Sequence, residues 1–285
     1  MEIEKNIDLS QYTTFKIGGR AKYFCIARNQ KELIDAVGFA KRKRLPFSVI
    51  GNGSNVLISD KGYKGLIIKM QNQDVGLLKP TLVKADAGVM LGKLLNFSLE
   101  NSLTGLEWVA GIPGTAGGAV FGNAGALGQS IKDSLTEVDV LDTNNLKIKT
   151  IKNKDLKFGY RDSILKKKKN LIVFSCSFRL RKGEKEKIRA KIRKNLKERK
   201  ERQPLFPSAG SVFKNPIGFS AGELIEKAGL KGKRIGGAEI SLKHANFIIN
   251  VGRAKEKDVK KLINFVKKQV KNKFGLVLEE EIQFF

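Results

Sequence analysis

Histidine is almost missing from this chain: 285 residues contain one, His244. A metal centre built on imidazole is therefore all but excluded, and a Ser-His-Asp triad would have to use that single ring. No Gly-x-Ser-x-Gly elbow leads into a helix to supply its nucleophile. Cysteine is nearly as scarce. Cys25 and Cys176 lack metal-ligand spacing and cannot make a disulfide framework, so a reducing compartment and a packing role are expected. A P-loop is also lacking: Gly88-Val-Met-Leu-Gly92-Lys93 is one residue short and no Ser or Thr comes after it. Long apolar runs are absent too. The weakly polar stretch Leu103–Gly128 holds Glu107 and is broken by glycines and Pro113, which makes a poor membrane span. No charged-then-apolar leader opens the sequence, and a soluble, cytoplasmic protein is the expectation.

Acidic residues are few as well. Asp and Glu number 28 against 55 Lys and Arg, a formal net charge of +27. Such a balance fits a nucleic-acid surface or a solvated, lysine-rich one. The basic runs Lys166–Lys169, Lys182–Lys200 and Lys255–Lys273 are spread along the chain, with no interleaved aromatics to stack bases. The solvated surface is the favoured reading, and no specific nucleic-acid partner is expected.

Glycine, by contrast, is abundant and clustered: 29 residues, concentrated in Gly51-Asn52-Gly53-Ser54-Asn55 and in Gly111-Ile-Pro113-Gly114-Thr115-Ala-Gly117-Gly118, with Asn123-Ala124-Gly125 beyond. Glycine lets backbone N–H groups approach a phosphate with no Cβ in the way, and successive N–H groups form an anion nest. With the usual catalytic side chains scarce, difficult chemistry needs a borrowed cofactor, and these segments are the candidates to hold it.

Apolar spacing predicts a helix over Lys31–Lys43 through Leu33, Ala36, Val37 and Ala40, then a strand at Phe47–Ile50. A strand pair, Val56–Ser59 and Leu66–Lys69, is expected to flank the Asp60–Gly65 turn. The order strand, glycine turn, strand differs from a dinucleotide-binding βαβ, where a helix comes directly after the turn. Further on, strand Leu82–Ala87, helix Leu91–Asn101 and strands at Glu137–Leu141, Lys147–Thr150 and Ile172–Leu180 are predicted, the last half-buried by its alternation. A basic helix over Glu184–Arg202 shows an apolar stripe of Ile188, Ile192 and Leu196. Ser220-Ala-Gly-Glu223 reads as a capping box, with Gly229 at the end of that helix. Strand Asn246–Asn250, helix Lys255–Lys273 and a closing strand Val277–Phe285 complete the reading. In that last strand, alternation puts Glu279 and Glu281 on one face and Glu280 on the other.

Two more stretches carry chemistry. Tyr160-Arg161-Asp162-Ser163 offers a cation in a turn. Ser208-Ala-Gly-Ser211-Val-Phe-Lys214-Asn215-Pro216 combines a hydroxyl, an amine and an amide beside a flexible glycine. In order, Gly51-Asn-Gly-Ser-Asn-Val-Leu, Gly111-Ile-Pro-Gly-Thr-Ala-Gly-Gly, Tyr160-Arg-Asp-Ser, the Ser208–Pro216 segment and His244-Ala-Asn-Phe-Ile closely resemble the UDP-N-acetylenolpyruvoylglucosamine reductase family, from about Thr13 to Ile282.

The resemblance implies an α+β fold: a two-subdomain FAD-binding fold of the vanillyl-alcohol-oxidase type, over residues 1–75 and 76–183, plus a C-terminal α/β substrate-binding domain over 184–285. It implies bound FAD, NADPH as reductant, and a small-molecule partner, an enolpyruvyl ether of a UDP-sugar, acted on by a monomer. Gly51, Asn52, Gly53, Ser54, Asn55, Pro113, Gly114, Thr115, Gly117, Gly118, Asn123, Ala124 and Gly125 would then hold the cofactor. Ser211 matches the proton donor, and Arg161 with Glu281 matches the pair that stabilises the enolate-like intermediate. A carboxyl group aids an anion only when protonated, so a raised Glu281 pKa is expected with substrate bound. Tyr160, Arg202, Lys214 and Asn215 match substrate-binding positions. The family usually reads Leu-Glu-Pro-Glu-Val/Ile-Arg near its end, whereas here the run is Leu278-Glu-Glu-Glu281-Ile-Gln. Glu279 is therefore an alternative to Glu281. The short span from Tyr160 to Phe174 leaves no room for the tyrosine-bearing loop of the family's longer form. Two other classes compete: a basic nucleic-acid-binding protein, and a flavin oxidoreductase acting on an alcohol or hydroxy acid, against which the Ser211 and Asn215 motif argues.

Overall fold

All 285 residues are described in the structure, a computed structural model. They form two compact units: residues 1–3, 24–52 and 65–199, and residues 4–23, 53–64 and 200–285. The grouping differs from the three consecutive regions read from the sequence, because two early segments are tied to the C-terminal residues. Asp60 Oδ1 accepts from the Glu256 N–H at 2.9 Å and so caps the last helix, and Asn250 Nδ2 donates to the Phe15 carbonyl at 3.1 Å.

In the first unit, helix Gln30–Arg42 starts where Asn29 Oδ1 accepts from the Glu32 N–H at 2.9 Å and Glu32 in turn accepts from the Arg28 N–H. These bonds satisfy donors that a helix start leaves open. Leu33, Ala36, Val37 and Ala40 are buried on one face, as their spacing requires. Strand Phe47–Ile50 pairs in parallel with Leu66–Lys69 of strand Tyr63–Met70. Beyond them lies a five-stranded antiparallel sheet, in the order Lys147–Lys152, Leu135–Asp142, Leu171–Arg179, Leu82–Asp86, Val75–Lys79. Its central strand, Leu171–Arg179, is buried at seven of nine positions, so both faces are covered rather than the single face that alternation suggests. Ser175 survives there because its hydroxyl donates to Asp139 at 2.8 Å, which also accepts from Lys84 and Thr150.

The basic helix runs from Lys185 to Arg202, but its expected stripe is mostly exposed: only Ile188 is buried, and Leu196 is 44% accessible. Polar anchors replace it. Asn195 Nδ2 donates to the Glu107 carbonyl and Arg199 Nε to the Ala110 carbonyl, each at 2.9 Å. No helix in the chain is long and apolar enough to cross a membrane.

The second unit holds an antiparallel sheet in the order Ser208–Ser211, Phe247–Asn250, Ala238–Ile240, Arg234–Ile235. Helix Glu256–Phe274 buries Val259, Leu262, Ile263, Val266 and Val270 in a core with Ile225, Ile240 and Ile248. Each such side chain contributes about 1.5–3 kcal/mol on burial. Strand Val56–Leu57 does not form a hairpin with the strand after it. It pairs in parallel with Gln283–Phe284 near the other end of the chain, so the expected pairing of Val56–Ser59 with Leu66–Lys69 is wrong. The closing segment is likewise not one strand. It makes a single antiparallel bridge, Phe213 with Glu280, and then that parallel pair, because the chain changes partner between them.

Candidate cofactor and substrate sites

In the first unit, the second glycine-rich segment leads into a seven-residue helix, Ala116–Gly122. No helix is predicted here from the sequence, since three of those seven residues are glycine and their helix propensity is poor. Packing overrides propensity. Thr115 is the N-cap, its Oγ1 accepting from the Gly118 N–H at 3.3 Å, and Gly117 N–H donates to Ala87 O at 2.9 Å. A Cβ on Gly117 would lie 2.6 Å from the Ala87 Cβ, so only glycine fits. The Gly117 and Gly118 N–H groups thus donate within the protein, and Gly117 is also required by its close packing against Ala87.

Gly51 approaches the same helix start: a Cβ there would lie 2.4 Å from Thr115 Oγ1. The two glycine segments are also bonded directly, Asn52 Nδ2 to the Pro113 carbonyl at 2.8 Å. Lys69 Nζ donates to the Gly51 carbonyl at 3.1 Å, and the Leu91 N–H to the Gly114 carbonyl at 2.9 Å. Carbonyls of both loops are therefore drawn back onto protein donors. That arrangement suits a loop that meets an anion, since an outward carbonyl would repel it.

At the other end of the short helix, Asn123 adopts a left-handed conformation, and its amide donates to the Gly159 carbonyl at 2.7 Å. Gly159 and Asp162 close a tight turn with Arg161 at φ 54°. The buried Ser163 hydroxyl donates to the Phe121 carbonyl at 2.7 Å. A Cβ on Gly125 would come 3.3 Å from Arg161 Nη1, so the guanidinium lies against the Asn123–Gly125 loop. It also sits 5.5 Å from the Tyr160 ring, which is itself 55% exposed. At 1.5 Å per residue, one helix of about 10 Å thus sets the distance from the glycine loop to the Arg161 turn.

The second unit carries Gly53, Ser54 and Asn55. Gly53 has φ 64°, and a Cβ there would strike the Tyr12 carbonyl at 2.2 Å. Asn55 Nδ2 donates to the Glu281 carbonyl at 3.3 Å, and Gln283 N–H to the Asn55 carbonyl at 2.9 Å. Ser211 ends a strand whose register slips by one residue between Ser208 and Ser211. The extra residue is accommodated as a β-bulge at Gly210, φ 75°, which re-aims the chain beyond it. Lys214 N–H then donates to Glu279 O at 2.9 Å and Glu281 N–H to Val212 O at 2.8 Å. The pairing brings Ser211 and Glu281 onto neighbouring backbones and puts Glu279 and Glu281 on one face. Consistent with that, Glu279 lies 3.3 Å from Lys214 Nζ and Glu280 2.9 Å from Lys267 Nζ.

Buried Asn246 holds this segment. It accepts from the Phe213 N–H at 2.9 Å and donates back to the Phe213 carbonyl at 2.8 Å. His244 Nδ1 accepts from the Asn246 N–H at 3.2 Å, and burial pushes the imidazole pKa down, helped by the Lys231 ammonium. Asn215 Oδ1 accepts from the Ala221 N–H at 3.0 Å, which orients its amide, while Arg202 is exposed at the end of the basic helix.

Residues 21–150 match the model of an FAD binding domain, and residues 201–285 that of the UDP-N-acetylenolpyruvoylglucosamine reductase C-terminal domain. Curated relatives carry that reductase name, and two serve as examples. The one from Caldicellulosiruptor bescii is 47% identical over 100% of this chain and 91% of its own length. The one from Caldanaerobacter subterraneus subsp. tengcongensis is 44% identical over 98% and 92%. A solved structure of UDP-N-acetylenolpyruvylglucosamine reductase from Thermus caldophilus superposes with a TM-score of 0.86 at 36% identity, covering 100% of this chain and 99% of that one.

The chain belongs to the UDP-N-acetylenolpyruvoylglucosamine reductase family.

This reductase is an FAD-dependent oxidoreductase of peptidoglycan precursor synthesis. The residues are compatible with the cofactor: Gly51 leaves no room for a side chain beside Thr115, and the Gly51, Pro113 and Gly114 carbonyls are bonded to protein donors. Sequence reasoning passes over Lys69. Its signal is there, an ammonium directly after the apolar run Leu66-Ile-Ile68 of strand Tyr63–Met70.

Proposed function

We propose that this reductase uses NADPH to convert UDP-N-acetylglucosamine-enolpyruvate to UDP-N-acetylmuramate. FAD, held by the Gly51–Asn55 and Pro113–Gly118 segments, would supply the redox chemistry, carrying a hydride equivalent from NADPH to the enolpyruvyl methylene carbon. The remaining chemistry falls to the chain. Ser211 donates a proton to the adjacent carbon as negative charge develops there. A hydroxyl is an ordinary acid only toward a strong base, so the donor must be held close to that carbon. Arg161 pairs with the substrate carboxylate, which suits its planar fork. Glu281 stabilises the enolate-like anion in its protonated form.

The single observation that carries this reading is the backbone pairing of Val212 with Glu281, which supports a shared role for Ser211 and Glu281. Glu279 is the weaker alternative, being 73% exposed at its side chain and engaged with Lys214. Gly51–Asn55 and Pro113–Gly118, with Asn123–Gly125, are read as the FAD-binding segments. Tyr160, Arg202, Lys214 and Asn215 are read as the substrate contacts. Cytoplasmic location and a monomeric state complete the proposal, the latter checked by light scattering.

An anaerobic titration tests it. The purified protein should be yellow, bleach with NADPH and regain its colour on adding the enolpyruvyl sugar nucleotide. A protein that bleaches but does not recover with that substrate would sink the substrate assignment. Recovery with an alcohol-derived carbonyl instead would favour another flavin oxidoreductase.

A further inference from the structure

We propose that Lys69 is a positioning residue for the cofactor: by holding the Gly51 carbonyl, it fixes the first glycine loop in the shape that receives the FAD diphosphate. The proposal rests on reading Gly51–Asn55 as a diphosphate loop.

Lys69 occupies an unexpected place. It stands in strand Tyr63–Met70, where Leu66, Ile67 and Ile68 are fully buried and Met70 nearly so. It is in register with Ile50, the last residue before the loop. From there its ammonium reaches the Gly51 carbonyl at 3.1 Å. Burial pulls its pKa below the ordinary lysine value, so the charge is kept at a cost in desolvation. A purely structural position in this strand would be filled more cheaply by an aliphatic side chain, as its three predecessors are.

The geometry gives the reason. Gly51 is packed closely against the start of the short helix, since a Cβ there would lie 2.4 Å from Thr115 Oγ1. Asn52, the next residue, is tied to Pro113. The peptide between Gly51 and Asn52 has one remaining freedom, rotation about its own axis. Rotation of that plane would swing the Gly51 carbonyl to the side now occupied by the Asn52 N–H. The Lys69 hydrogen bond opposes that rotation. It therefore decides whether the loop shows an amide hydrogen or a carbonyl oxygen to an incoming phosphate, and the two differ in sign for anion binding. The ammonium also places a positive charge next to the loop, which reinforces the same preference.

The test measures affinity, not turnover. Apoprotein is titrated with FAD and, separately, with riboflavin, which has the same ring but no diphosphate, and flavin fluorescence gives both dissociation constants. Lys69→Met is expected to weaken FAD about tenfold, the scale of one hydrogen bond to a charged group, and to leave riboflavin within about twofold. Lys69→Arg, which keeps a donor for Gly51, is expected to recover most of the FAD affinity. If Lys69→Met weakens both ligands alike, or neither, while Gly51→Val still abolishes FAD binding, the positioning role is wrong and the loop reading stands. If Gly51→Val binds FAD as well as the parent protein does, the loop reading itself is wrong. A Lys69→Met protein that does not fold is replaced by Lys69→Gln, for which the same FAD-against-riboflavin split is expected at smaller size.

Discussion

The side-chain amide of Asn52 donates to the backbone carbonyl of Pro113 at 2.8 Å, across 61 residues of chain. This bond ties the loop after strand Phe47–Ile50 to the loop before helix Ala116–Gly122. It lies within a single compact unit, beside the Gly51–Thr115 approach and the Lys69–Gly51 bond. Neither glycine loop is thus held by its own sequence alone. Each is shaped by contacts from the other, and together they make one surface.

Asn52→Ala removes that tie without filling space. One hydrogen bond is worth about 1 kcal/mol, so the FAD dissociation constant should rise about fivefold. Asn52→Asp should be worse than the alanine variant, because a carboxylate would then face the Pro113 carbonyl. Fluorescence titration of the apoproteins checks both values. Equal affinity for Asn52→Ala and the parent would mean that the loops keep their relation without the bond.

The glycine loops can be read from the sequence as backbone-lined, because Gly51, Gly53 and Gly117 cluster near residues that can cap or donate. What Asn52 does with its amide cannot be read there. Its partner, Pro113, is fixed only by tertiary placement, as Gly117's fit against Ala87 is. Helices Gln30–Arg42 and Glu256–Phe274 are legible from apolar spacing, since a helix that buries one face must repeat at that period. The Val56–Leu57 strand misleads, because periodicity predicts a strand but not its partner, and that partner lies at Gln283–Phe284. The Glu279–Glu281 run is legible for a local reason. Facing alternates wherever backbone is extended, even in a segment with only one bridge.

Ser211→Ala should separate the two halves of the proposed reaction. Reduction of the flavin by NADPH needs no proton from Ser211, so its rate should be unchanged within about twofold. The half-reaction with the enolpyruvyl sugar nucleotide should slow by about 10²–10⁴, the range for loss of a positioned proton donor. Anaerobic stopped-flow absorbance tracks each half alone. Ser211 sits directly after the Gly210 bulge and half-buried, and the hydroxyl is small, so the fold should tolerate the change. If both halves slow alike, Ser211 shapes the strand and does not move the proton.

The single histidine offers a pH test free of overlap from other imidazoles. Burial and then the Lys231 ammonium lower the His244 pKa, and its Nδ1 accepts a hydrogen bond from the Asn246 N–H that a protonated ring could not accept. In the unfolded chain the ring takes up a proton as pH falls through about 6.5. In the folded chain it does so only at lower pH. Between those values the unfolded state binds more protons, so stability is present above pH 6.5 and is lost as pH falls through the folded pKa. One proton gives at most about 1.4 kcal/mol per pH unit, and solvent screening of a ring that is only partly covered reduces this. The loss should concentrate in the segment that Asn246 holds, since Asn246 bonds both polar groups of Phe213 beside Ser211. Urea unfolding at pH 7.5 and 5.5 should therefore show a larger fall in midpoint for the parent than for His244→Gln, which cannot titrate. Parallel falls in the two proteins would show that His244 keeps an ordinary pKa in the folded state.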